Sequence, residues 1–305
     1  MSNNALLFIG ILIFVFILWV MTGGPAKPFA SAGPYVKPID GPGELAEPYE
    51  LKRGSGFTSG ITGNNSGFFD LGAQLEDLSS YGETSEYRGV VSITRNPSGP
   101  RGTTASEEYL SISVSRRAEA PITMTGWKLE SMASGVGGII PGGVSIPRAG
   151  SVNTVSSIVV APGETVVVTT GRSPLGVSFR ESICTGYLDE FQDFEPDLED
   201  ACPTAREEVL MRYDRSDKED CALASWSIPR CTVPENVQSD VSNSCESFLE
   251  GLNYNSCVAA YQNDPEFSER TWRVFLGGAR ELWRENHETI RLTDSAGKTV
   301  DVFAY

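Results

Sequence analysis

Six cysteines, Cys184, Cys202, Cys221, Cys231, Cys245 and Cys257, all fall in one stretch of the 305-residue chain. An even, clustered set points to disulfides formed in an oxidising compartment. No two have C-x-x-C spacing, so neither a zinc knuckle nor a thioredoxin-type redox site is supported. Three bridges allow fifteen connectivities. Local pairing of Cys221 with Cys231 and of Cys245 with Cys257 is the simplest; six separate buried thiols are the alternative.

The single histidine, His287 in "ELWRENHETI", has no second histidine with which to build a metal site. There is also no Gly-x-Ser-x-Gly elbow to mark a hydrolase nucleophile. It reads as a polar turn residue before a strand at Glu288. Carboxylates crowd "LDEFQDFEPDLED" (188–200), where Asp189, Glu190 and Asp193 are candidates for a binding surface. Paired carboxylates can hydrolyse glycosides, and closely spaced oxygens suit calcium. The run lacks the D-x-[DN]-x-[DN]-G loop, however, so no cofactor is expected. A solvated face, or a docking surface for basic partners, is the reading it supports. In "GLNYNSCVAAYQ", Tyr254 and Tyr261 suit either an exposed patch for glycan or protein, or the cover of a small disulfide-stapled core. Glycine-rich "SGVGGIIPGG" (134–143) lacks the Lys-Ser/Thr of a phosphate loop and reads as a connection between strands. A sequence pI near 4.5 counts against nucleic acid as partner.

The elements that would position these residues are mostly strands. In "YLSISVS" Leu110, Ile112 and Val114 alternate with serines, the period of a half-buried strand. Val91 and Ile93, Val166 and Val168, Trp272 and Val274, and Ile290 and Leu292 repeat that spacing. Turn residues lie between, as in Asn96-Pro97-Ser98-Gly99-Pro100 and Ser295-Ala296-Gly297. The pattern stops at Cys184 and resumes near Thr271. The interval 184–269 carries short helical hints and 20 Asp and Glu against 5 Lys and Arg, net −15 of the chain's −16.

Ahead of the strands, Ala5 to Met21 is a charge-free apolar run, about 26 Å as a helix, which predicts a transmembrane anchor over 1–22. Ala30-Ser31-Ala32 would suit a signal peptidase, but the apolar run is long for a signal peptide and no Lys or Arg precedes it. Residues 23–84 read as a Gly/Pro-rich linker in which Phe68 to Leu78 could form a short amphipathic helix. Lys27 and Lys37 favour a cytoplasmic folded part. The cysteines favour the extracytoplasmic side, and they carry more weight.

"EEYLSIS" (107–113), "TGWKLES" (125–131), "APGETVVVTTGRS" (161–173) and "ETIRLTDSAGKTVDVFAY" (288–305) together resemble the motifs of the lamin-tail domain. The resemblance runs from Glu86 to Ser182 and from Arg270 to Tyr305. It implies an all-β, immunoglobulin-like β-sandwich over 85–183 and 270–305; the interval 184–269, which is not part of the usual domain, reads from its own residues as an acidic, Cys-rich, mostly helical or irregular insertion. The residues it would make fold-defining are Gly126, Trp127, Leu129, Pro162, Gly163, Asp294 and Gly297. It also implies a non-catalytic binding or tethering role, of the kind found in bacteria on membrane-attached or exported proteins. The combined expectation is a single-pass, membrane-anchored binding, adhesion or scaffold protein that presents the insertion to a protein or glycan at the cell surface. Alternatives are an accessory domain of an extracytoplasmic enzyme complex, a hydrolase with its site in the insertion, or an envelope spacer.

Overall fold

The computed structural model describes residues 81–148, 152–234 and 241–305. Twelve strands run through them: β1 Val91–Ile93, β2 Tyr109–Val114, β3 Ile122–Thr123, β4 Lys128–Ser131, β5 Gly137–Ile139, β6 Gly143–Val144, β7 Val159–Val160, β8 Thr165–Thr169, β9 Ser178–Ser182, β10 Ser268–Phe275, β11 Thr289–Thr293 and β12 Thr299–Ala304. Five α-helices lie between β9 and β10: α1 Gly186–Asp189, α2 Ala205–Arg212, α3 Lys218–Ala224, α4 Asn243–Glu250 and α5 Tyr254–Tyr261.

The strands form a six-stranded sheet in the order β1-β2-β8-β10-β9-β6, a four-stranded sheet β12-β11-β4-β5, and the pair β3-β7. Alternation places Ile112, Val166, Val168, Trp272 and Val274 of the large sheet in one apolar core with Leu129, Ile290, Leu292 and Val300 of the small one. Trp127 is fully buried there beside Tyr87, ring centroids 5.3 Å apart. Gly126 before it has φ +90° and Gly163 has φ +82°, the left-handed region in which a side chain is strained. Pro162 leads into the latter turn, whose Gly163 amide donates to the Val114 carbonyl at 3.0 Å.

Two expectations are corrected. The fold is a mixture of α and β, with twelve strands in three sheets and five helices, not the all-β immunoglobulin-like sandwich. The large sheet is itself mixed, because β8–β10 and β6–β9 run parallel while its other pairs are antiparallel. The physical reason is the route of the chain. After β9 it builds the helical lobe and returns in β10, which inserts between β8 and β9.

The single-pass membrane placement is corrected as well. Among the described residues no helix is long and apolar enough to cross a membrane; the longest have eight residues, about 12 Å. The run Ala5 to Met21 and the segment Phe68 to Leu78 lie outside the described residues. Tyr81 to Thr84, the end of the expected linker, are tied to the small sheet. The Tyr81 carbonyl accepts from the Thr299 hydroxyl at 2.8 Å, and the Glu83 carbonyl accepts from the Thr299 amide at 2.7 Å.

Candidate functional site

Strands β9 and β10 carry a second set of side chains on the face turned away from the shared core. Phe179, Glu181, Arg273 and Phe275 are all buried, although Trp272 and Val274 between them fill the opposite side. What buries them is the lobe. Phe194 packs edge-on against Phe179, centroids 5.8 Å apart, and lies 6.4 Å from Phe275. Leu188, Leu198 and Tyr187 join the same cluster. The acidic run therefore folds with Leu188, Phe194 and Leu198 inward, while Phe191 stays exposed and Glu190, Asp193, Glu199 and Asp200 lie in water, which spares it the cost of burying charge.

Arg273 fixes this arrangement. Its Nε donates to Glu181, and its two terminal nitrogens donate to the carbonyls of Pro196 and Asp197, the latter at 2.7 Å. Burial pushes the Glu181 carboxyl upward, while Arg273 acts in the opposite sense.

Three disulfides knit the lobe: Cys184–Cys257, Cys202–Cys231 and Cys221–Cys245. The oxidised state of all six cysteines accords with an oxidising, extracellular environment. The local pairing expected from spacing is corrected, because Cys221 meets Cys245 and Cys231 meets Cys202 once α2, α3 and α4 close on one another. Three of the lobe's helices, α2, α4 and α5, begin at side-chain caps. Thr204 and Glu207 form a reciprocal capping box at α2, Ser242 accepts from the Cys245 amide at α4, and Asn253 with Ser256 caps α5. Val209, Tyr213, Cys221, Cys245, Leu249 and Leu252 make a small distal core beneath them.

Of the two readings of the tyrosines, the structure has the core one and not the exposed patch. Tyr254 and Tyr261 are 8% and 7% exposed and belong to the core under the disulfides. The Tyr254 hydroxyl donates to the Pro147 carbonyl at 2.7 Å, and burial raises its pKa. Burial, reinforced by the nearby Glu208 carboxylate, pushes Tyr261 up to about 12. Such phenols stay neutral and serve packing.

The carboxylates do not converge on one point. Asp189 is half-buried and raised by that burial; the Glu190 carboxylate accepts from the Val233 amide at 2.8 Å; Asp193 points to water. Among the described residues no group of three or more His, Cys, Asp and Glu is placed to hold a metal ion. His287 is exposed in a turn with φ +57°. In the glycine-rich segment, Gly137–Ile139 forms strand β5 at an edge of the small sheet.

The sequence reading missed the outer surface of the distal lobe. Leu210 and Met211 of α2, Leu223 of α3 and Trp226 of the 3₁₀ turn Ser225–Ser227 are exposed. A signal existed. On a helix, two residues apart is roughly 200° of rotation, so a buried Cys221 turns Leu223 outward, and Trp226, three residues further, follows it. No family model, curated protein or solved structure matches this chain, so the lamin-tail likeness rests on the motifs alone.

Proposed function

We propose that this chain is a protein-binding module of an oxidising compartment, with the two facing sheets as platform and the disulfide-stapled lobe as recognition element. The observation that carries this reading is the fixation of the lobe. Three bridges staple the lobe internally, and the Arg273 clamp and the Phe179–Phe194–Phe275 cluster hold it on the platform, while α2 and the α3 region still leave large apolar side chains in water. A surface ordered before contact loses little further conformational freedom on binding, and that improves affinity at a given contact area. Exposed apolar groups on an ordered, highly charged surface mark a place where another molecule is accommodated. The lamin-tail likeness of the strand motifs, with its tethering and binding roles, supports the same reading.

The test uses the purified, oxidised chain as bait for proteins of its own compartment, with a reduced and alkylated sample as control. A saturable partner retained by the oxidised form and lost from the alkylated form is the expected result. Turnover of peptide, ester or glycoside substrates by the oxidised chain, without partner retention, would overturn the proposal in favour of a hydrolase.

A further inference from the structure

Leu223 and Trp226 are 69% and 70% exposed although Leu223 follows Ala222 of the distal core and Trp226 follows the buried Ser225. They sit one helical turn apart on α3 and the 3₁₀ turn after it, and both elements pack against α2. The guanidinium of Arg206, on α2, lies 4.9 Å from the centre of the Trp226 ring. That stacking orients the indole while leaving most of it in water. Leu210, one turn beyond Arg206, extends the apolar surface along α2.

Leu223 also lines a groove of about 420 Å³ together with Asp217, Asp220, Val241 and Ser242. The disulfide Cys221–Cys245 also borders it, so its shape is set covalently. Hydrogen bonding from Ser242, with a further contribution from Tyr213, keeps the Asp217 carboxyl below its ordinary range, and the group is ionised at neutral pH. Apolar walls and a carboxylate rim are what the stem and head of a lysine or arginine require.

From this arrangement we infer that the face formed by Leu223 and Trp226 docks a basic polypeptide segment, an apolar side chain of which packs on these two residues while a flanking Lys or Arg enters the groove toward Asp217 and Asp220. The inference rests on the binding role proposed above and specifies its surface and partner. Charge selects the occupant. Residues 184–269 carry net −15, so a second copy of this lobe and anionic ligands are repelled, whereas a cationic segment is attracted and oriented.

The experiment titrates the oxidised chain with a short synthetic peptide in which leucines are interspersed among lysines. One control peptide has serine for each leucine and another has glutamate for each lysine. Trp226 fluorescence and calorimetry at low and physiological salt give the affinity. The leucine–lysine peptide is expected to bind, about tenfold or more above the serine peptide, and the glutamate peptide is expected not to bind. Leu223→Ser with Trp226→Ser, judged folded by thermal midpoint and by absence of free thiols and read by calorimetry, should lose about tenfold or more. Asp220→Asn, at an exposed position, should weaken binding and flatten its salt dependence. Equal affinity of the leucine and serine peptides, equal affinity of the double variant and the wild type, or no binding of the leucine–lysine peptide would each overturn the inference. Retention of a compartment partner by the oxidised chain despite such a result leaves the binding role standing and moves the surface; failure of both removes the two together.

Discussion

Arg273 of β10 and Glu181 of β9 pair on the outer face of the six-stranded sheet, with side chains only 5% and 4% exposed. Because the rest of the guanidinium is taken by the carbonyls of Pro196 and Asp197, one side chain joins the platform strands to the acidic loop. Arginine suits this place, since its planar fork directs several donors at once and keeps its charge when buried.

Arg273→Met should therefore be costly. It leaves Glu181 as an uncompensated buried charge, a defect of about 3–5 kcal/mol. Adding Glu181→Leu removes that charge and should restore all but about 1–2 kcal/mol, the remainder reflecting the carbonyls left without donors. Urea denaturation of the two single variants and the double variant gives the coupling. Additive losses would show that the pair does not act as a unit.

The disulfides span sequence separations of 73 for Cys184–Cys257, 29 for Cys202–Cys231 and 24 for Cys221–Cys245. The chain-entropy relation gives about 4.4, 3.6 and 3.4 kcal/mol respectively. Alanine replacement of both members of each pair should rank stability loss in that order by denaturation midpoint. Removing Cys221–Cys245 should also raise hydrogen exchange in α3 and α4 while β8 and β10 stay protected, because that bridge lies in the distal core and not against the sheets.

Much of the platform was legible in the sequence. Alternation in Leu110, Ile112 and Val114 has a period too short for a helix, and the structure returns it as β2 with that set buried. Trp127 is buried, and Gly126, Gly163 and Gly297, read in the sequence as turn residues, have the positive φ that such turns take. The lobe was less legible for three physical reasons. Its helices have four to eight residues, too few turns to display a clear 3.6-residue period. Cysteine pairing is decided by which helices meet, not by spacing. Finally, Arg273 between Trp272 and Val274 reads locally as the wet side of a strand, and only tertiary structure brings the loop that covers it. Continuous "VVV" in β8 was the available hint that this sheet is covered on both faces.

Stability should rise as the pH falls from 7 toward 5. Glu108 is fully buried and accepts the amides of Leu282 at 2.7 Å and Trp283 at 2.9 Å. Burial, the largest influence, still lifts its carboxyl above the ordinary range. The folded chain thus takes up this proton at higher pH than the unfolded chain, whose value is about 4.3. The contribution is fully present below that value and is lost as pH rises through the folded one. Asp189 and Glu269, also raised by burial, act in the same sense. Glu108→Gln should make the slope shallower without abolishing it, as read from urea midpoints between pH 5 and 7. An unchanged slope would exclude Glu108 as a contributor.

The closing hairpin depends on Asp294. Its carboxylate accepts the amides of Ala296 at 2.9 Å and Lys298 at 3.0 Å, while Gly297 supplies the φ of +79° that the turn needs. Burial acts upward on this carboxyl, but hydrogen bonds from Ser85 and from these amides hold it below the ordinary range. Asp294→Ala leaves both amides without their acceptor and should cost about 1–3 kcal/mol. Asp294→Asn keeps a carbonyl oxygen in place and should recover a large part of that loss. The effect should spread beyond the turn, because β12 carries Asp301, whose carboxylate accepts the Ile93 amide at 2.7 Å and so ties the small sheet to β1 of the large one. Hydrogen exchange at Ala296, Lys298 and Ile93 checks this. Faster exchange at all three in the alanine variant is expected; faster exchange at the turn alone would mean that β12 is held by its pairing with β11 and not by the turn that precedes it.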